Sequence, residues 1–346
     1  MFVFCLLLLY NEAMNTQKIN TTTFEKRKFY NDGDSGRVFL FALLVPILLS
    51  ILFTLIQNAI AGAQNIEPET ISDNIWFSFA YGITCSAAYV ILYLVYNKCY
   101  RIEYNAIGMK VKMKWHTYAI VIAIGVISLF GIQYFIGVVD NLLKLIGFPL
   151  EEALPGSPET LTNPQSLGTF FLAIFATALL PAITEELLFR GIIFQGLRSR
   201  FGDNSSIFIS AAFFALMHQN LQQLVYPFIL GSIMAWIVVR TGSLLSSMIV
   251  HFINNFLVIL FSYLRNTTGF SIALPNAWWA YLVAFVLLAA TVAIIYLIDR
   301  FYFKHQSATQ AERTSQKTSK YIFIAVGVGV ALYLFLTIFT FVSAMG

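Results

Sequence analysis

The chain carries a succession of apolar runs, each near twenty residues and almost free of charge. They lie at roughly 38–60, 75–96, 117–139, 168–190, 222–239, 244–264, 277–298 and 321–343. An α-helix needs ~20 residues to cross ~30 Å of hydrocarbon at its rise of ~1.5 Å per residue. Lipid offers the backbone no hydrogen-bond partner, so runs of this kind must be helical, and the alternation of a barrel is absent. A shorter ninth run, Ser205–His218, reads as a half-span or as a helix buried by its neighbours. The expected fold is an all-α polytopic membrane protein, a bundle of eight or nine transmembrane helices. Composition excludes the alternatives: with 58% apolar and 11% charged residues in 346, a soluble protein could not cover its own surface. Three cysteines, Cys5, Cys85 and Cys99, form neither a disulfide framework nor a CxxC metal pair. A net charge of +4 is better explained by topology than by nucleic acid, and no nucleic-acid partner is expected.

That topology follows from the distribution of Lys and Arg. Five precede the first run (Lys18, Lys26, Arg27, Lys28, Arg37) and five lie in 97–116 (Lys98, Arg101, Lys110, Lys112, Lys114), whereas 61–74 has none. Lys144 stands alone in 140–167 and Arg265 alone in 265–276, while Arg198, Arg200, Arg240, Arg300, Lys304, Arg313, Lys317 and Lys320 fall on the opposite side. A cytoplasmic N-terminus satisfies the alternation if 205–218 counts as a crossing. Trp76, Trp115, Trp278 and Trp279 mark span ends, where interfacial tryptophans belong. Met1–Tyr10 is too short to span and lacks a basic n-region, so it is a poor signal peptide, and Met14 is an alternative start. The polar stretch 306–319 reads as a cytoplasmic linker. Residues 1–37 are expected to be a cytoplasmic segment, 38–164 the first membrane helices and 263–346 the last ones.

Inside the apolar runs the ionisable groups are Glu185, Glu186, Arg190, His218 and His251, all within 185–251. Each costs several kcal/mol in lipid, so groups at that depth point to function. Glu186 and Arg190 are four residues apart and share a helix face, while Glu185 lies ~100° round the helix. His251 and Asn255 share another face by the same spacing, as do Phe214 and His218. Loose depth estimates put Glu185 ~22 Å, His218 ~20 Å and His251 ~12 Å into their helices, which permits one intramembrane cavity open to the cytoplasm.

A glutamate in a low-dielectric site can act as general base on a water. An imidazole and a side-chain amide can donate to the oxyanion of an attacked carbonyl. Alternatively, Glu185, His218 and His251 supply the His₂Glu ligand set of a hydrolytic zinc site. Both chemistries hydrolyse an amide. A serine in GxSxG context, a cysteine near the cluster and a paired intramembrane aspartate motif are all lacking. Taken singly, the parts have simpler explanations: a capped structural histidine, a bundle-bracing ion pair, a core phenylalanine, and Gly191, Gly196 and Gly231 as close helix contacts. Their conjunction in order along neighbouring helices outweighs those explanations.

Together they resemble the CPBP intramembrane protease family, which includes the CAAX prenyl endopeptidases and bacteriocin-processing homologues. EExxxR reads Glu185-Glu186-LLF-Arg190, FxxxH reads Phe214-ALM-His218, and HxxxN reads His251-FIN-Asn255. The resemblance covers about 165–262, which is then the expected catalytic core. It implies that Glu185 activates water, with His218 a partner in the same site. It further implies that His251 and Asn255 hold the oxyanion and that Glu186 with Arg190 braces the site. It also implies an endopeptidase acting near the C-terminus of a membrane-anchored or lipidated peptide, in a multi-pass protein of the cell membrane. Zinc and a metal-independent glutamate mechanism are equally compatible with these residues. The rival expectations are a non-catalytic scaffold or bacteriocin self-immunity protein, and a proton-coupled transporter. Transport is disfavoured because the charges occupy one region rather than two repeated halves.

Overall fold

The computed structural model describes residues 29–103, 112–145, 159–218, 222–270, 278–303 and 318–345. The expectations for Met14, Cys5, Lys110 and most of the linker 306–319 fall outside them. Among the described residues the chain is helical, with no strand. The elements are α1 (Asp32–Gln64), α2 (Pro68–Ser72), α3 (Ile75–Cys99), α4 (Trp115–Leu145), α5 (Glu159–Thr162), α6 (Leu167–Ala173), α7 (Leu180–Glu186), α8 (Phe194–Met217), α9 (Gln222–Thr241), α10 (Leu244–Thr268), α11 (Trp278–Ile298) and α12 (Lys320–Met345). Seven helices among the described residues are long and apolar enough to cross a membrane, which makes this a multi-pass membrane protein. The exposed rings of Trp76, Trp115 and Trp279 sit at the ends of α3, α4 and α11, as expected.

The stretch Leu167–Met217 counts as one of the seven, yet its 51 residues would reach ~76 Å, far beyond one hydrocarbon thickness. Gly202 resolves this. Its φ of 74° and ψ of 178° break the helix inside α8, in a conformation open to glycine alone among common residues. The run 205–218 expected as a half-span or buried helix is thus the second arm of one folded rod, and the first arm continues past the apolar run to Phe201, as the depth estimate for Glu185 requires.

The start of α1 also differs from the apolar run. The helix begins at Asp32, six residues before 38, because Asn31 and Asp34 form a reciprocal capping box. Asp34 is fully buried there and accepts from Tyr96 Oη at 2.6 Å. Ser35 Oγ donates to the Ile193 carbonyl at 2.7 Å, tying α1 to the rod that carries the glutamates. A Cβ on Gly196 would strike Asn31 and Ser35, so that close approach needs glycine. Phe39 stacks on Phe213 at 4.2 Å across the same interface.

Glycine also seats α12 on α1, where a Cβ on Gly36 would come within 2.5 Å of the Tyr321 backbone. Backbone cannot swing aside as a side chain can, so Gly36→Ala should cost about 1–3 kcal/mol through overpacking. Gly62, also in α1, has nothing within 4 Å of its own Cβ direction, and Gly62→Ala is the matched control. Thermal unfolding in detergent should show a loss for Gly36→Ala only, and equal melting for the two variants would contradict the packing described.

Candidate active site

The glutamate pair sits on a short α-helical piece between two widened turns. Ile174–Leu179 and Leu187–Ile193 are π-helical, with Leu180 N–H reaching Phe175 O and Phe194 N–H reaching Phe189 O. Such insertions re-aim side chains and cluster at functional sites. Pro181 accounts for the first one, because it has no N–H for the carbonyl four residues back and cannot continue an α ladder. Between the turns, α7 holds Thr184, Glu185 and Glu186 at its C-terminal end.

The helical sorting of the two glutamates holds. Arg190 Nη1 donates to Glu186 Oε1 at 2.7 Å, and both side chains are fully buried. Arg190 Nη2 also donates to the Gly231 carbonyl of α9 at 3.1 Å, and its guanidinium lies 4.5 Å from the Phe214 ring centroid. Gly231 makes room for this: a Cβ there would meet Arg190 Nη2 at 3.1 Å. Glu185 points elsewhere and keeps 17% of its side chain accessible, whereas Glu186 keeps none.

His251, from α10, lies between the two carboxylates. Its Nδ1 is 3.0 Å from Glu186 Oε1, and its Nε2 is 4.0 Å from Glu185 Oε2. A carboxylate oxygen only accepts, so Nδ1 carries the hydrogen of the shorter contact. Phe214 stands edge-on to His251 at 5.8 Å and to His218 at 4.9 Å, and it also packs against Phe189. One ring therefore separates and orients both imidazoles and the guanidinium. His218 caps α8, with Nδ1 2.8 Å from the Phe214 carbonyl. Asn255 Nδ2 donates to the Thr177 carbonyl at 3.0 Å.

The seven residues singled out in the sequence fall on three stretches, 185–190, 214–218 and 251–255. Contacts join Glu185, Glu186, Arg190, Phe214, His218 and His251 into one cluster, with Asn255 a turn beyond His251. The zinc ligand set does not assemble. Among the described residues no three His, Cys, Asp or Glu side chains come together as a group that could hold a metal. The reasons are local: Glu186 holds His251, and His218 is anchored to its own helix end. A metalloprotease assignment therefore has no support here.

Other participants were not singled out. Asn254, adjacent to Asn255 but fully buried, donates to the Gly125 carbonyl at 2.9 Å and accepts from Tyr226 Oη at 2.7 Å, fastening α10 to α4 and α9. Packing of α3 on α7 brings Cys85 and Tyr89 within electrostatic range of Glu185, so a cysteine does approach the cluster. The apolar context of α3 carries no signal for that; only the tertiary packing does.

No curated protein and no solved structure matches the chain. Residues 167–257 match the family model described as type II CAAX prenyl endopeptidase Rce1-like. That stretch runs from the start of α6 to just past Asn255 and contains all three motifs, so this quarter of the chain is similar to that CAAX protease family.

Proposed function

We propose that the protein is a CAAX-type intramembrane endopeptidase that hydrolyses a peptide bond near the C-terminus of a membrane-anchored or lipidated peptide. The observation that carries this reading is His251 held by Glu186 on one nitrogen while its other nitrogen faces Glu185 at 4.0 Å. That gap is too long for a direct hydrogen bond and fits an intervening water as the link between the two groups.

Glu185, the accessible carboxylate, takes a proton from water as the water oxygen bonds to the scissile carbonyl carbon. His251, protonated on both nitrogens, donates from Nε2 to the developing oxyanion, and Glu186 stabilises that imidazolium. Two carboxylates and two cations then balance inside a low-dielectric bundle, which limits the cost of holding charge there. His218 donates through Nδ1 to the Phe214 carbonyl, so its neutral ring offers Nε2 as an acceptor that orients the water or the leaving amine. When the C–N bond breaks, the proton held by Glu185 passes to the amine. No step requires a metal.

The orientation proposed is a cytoplasmic N-terminus in the cell membrane. Cysteine labelling that reached residue 110 from outside would overturn it. For the reaction, purified protein in proteoliposomes is given quenched-fluorescence peptides ending in a CAAX tetrapeptide, farnesylated or bare, with and without 1,10-phenanthroline. The expected result is cleavage of the farnesylated peptide at a rate the chelator does not change. Absence of cleavage of both peptides would favour a scaffold or immunity role instead.

A further inference from the structure

The helix carrying the glutamates is interrupted where it is most exposed to error. An α-helix would bond the N–H of residue 181 to the carbonyl of residue 177, but residue 181 is Pro181 and has no hydrogen to give. Inside a membrane bundle a carbonyl left without a donor is costly, so a replacement is needed. The donor found at Thr177 O is Asn255 Nδ2, at 3.0 Å, from α10 and 78 residues away in sequence. The second widened turn shows the same device, with Gln195 Nε2 donating to the Arg190 carbonyl at 3.2 Å.

We infer that Asn255 is a positioning residue, whose amide replaces at Thr177 O the backbone hydrogen that Pro181 lacks and so fixes the start of the helix that aims Glu185. Glu185 follows Pro181 by four residues, about one turn, so any tilt at the kink moves its carboxylate directly. His251 lies one turn before Asn255 on the same face of α10 and touches the C-terminal end of α7 through Glu186. α10 therefore grips this stretch at two points, a backbone carbonyl in the widened turn just before α7 and a carboxylate at the end of α7. This fixes the separation between Glu185 and His251 on which the proposed reaction depends. The oxyanion role implied by the family resemblance would fall to the remaining amide hydrogen of Asn255; the inference assigns the main effect of this residue to the bracket instead.

The inference rests on the proteolytic reading for its activity arm only. Asn255→Ala, Pro181→Ala and the double variant are compared by melting temperature in detergent and by turnover of the farnesylated peptide. Asn255→Ala should lower the melting temperature by about 1–2 °C, the shift expected for one lost hydrogen bond in a chain of this size. Its turnover should fall by about 100-fold, the scale of a misplacement near 1 Å. Adding Pro181→Ala restores an amide hydrogen at residue 181 and should recover most of both losses. If Asn255→Ala alone yields no folded protein, recovery of folded protein in the double variant is the expected outcome. Recovery of stability without recovery of turnover would assign Asn255 to the oxyanion and overturn the inference. So would unchanged melting in Asn255→Ala, or losses that Pro181→Ala does not relieve. Should the wild type cleave neither peptide, the proteolytic reading fails while the melting comparison still decides on the bracket.

Discussion

Glu185→Gln is expected to abolish peptide cleavage while leaving the protein as stable as the wild type. The amide keeps the shape of the carboxylate but cannot take a proton from water. General-base catalysis contributes about 10²–10⁴-fold, so turnover should drop at least that far. Stability should hold because Glu185 forms no close ion pair: its nearest charged partner is His251 at 4.0 Å, and 17% of the side chain is accessible. Substrate affinity should change little for the same reason. The measurements are single-turnover cleavage of the farnesylated peptide and thermal unfolding of the same preparation. Cleavage near the wild-type rate would remove Glu185 from the role of base.

Much of that site was legible without coordinates because it depends on local geometry. Side chains four apart on a helix meet, so the pairing of Glu186 with Arg190 and the edge-on contact of Phe214 with His218 follow from spacing. The ~100° step between neighbours separates Glu185 from Glu186, and hydrocarbon thickness sets the lengths of the helices. What was not legible depends on contacts between distant segments. Asp34 looks like a solvated loop residue until Tyr96 and the Asn31 cap enclose it. Pro181 announces a break, but which side chain covers Thr177 O depends on how α10 packs. His251 bridging both glutamates, Tyr226 holding Asn254, and Cys85 approaching Glu185 are likewise products of tertiary packing. Gly202 could equally have been a helix-packing glycine; only its positive φ shows that it folds the rod.

Glu186→Gln should have the opposite signature to Glu185→Gln in stability while sharing its loss of activity. Glu186 and Arg190 have no accessible side-chain surface, and their 2.7 Å contact lies inside the bundle. Neutralising one partner leaves a buried guanidinium uncompensated, a loss of about 3–5 kcal/mol. Hydrogen bonds from Arg190 to Gly231 O and its place over Phe214 soften this without supplying a negative charge. Replacing both residues, Glu186→Gln with Arg190→Met, removes the stranded charge and should recover much of the lost stability, since apolar replacements of buried ion pairs are often neutral. Activity should not return with it. Glu186 also receives Nδ1–H of His251 at 3.0 Å, and a neutral amide no longer stabilises an imidazolium facing the oxyanion. A double variant that melts near the wild type yet cleaves at least about 100-fold more slowly would separate the two duties of Glu186, brace for Arg190 and anchor for His251. Recovery of cleavage along with stability would show that the charge on Glu186 serves folding alone and that His251 needs no carboxylate behind it.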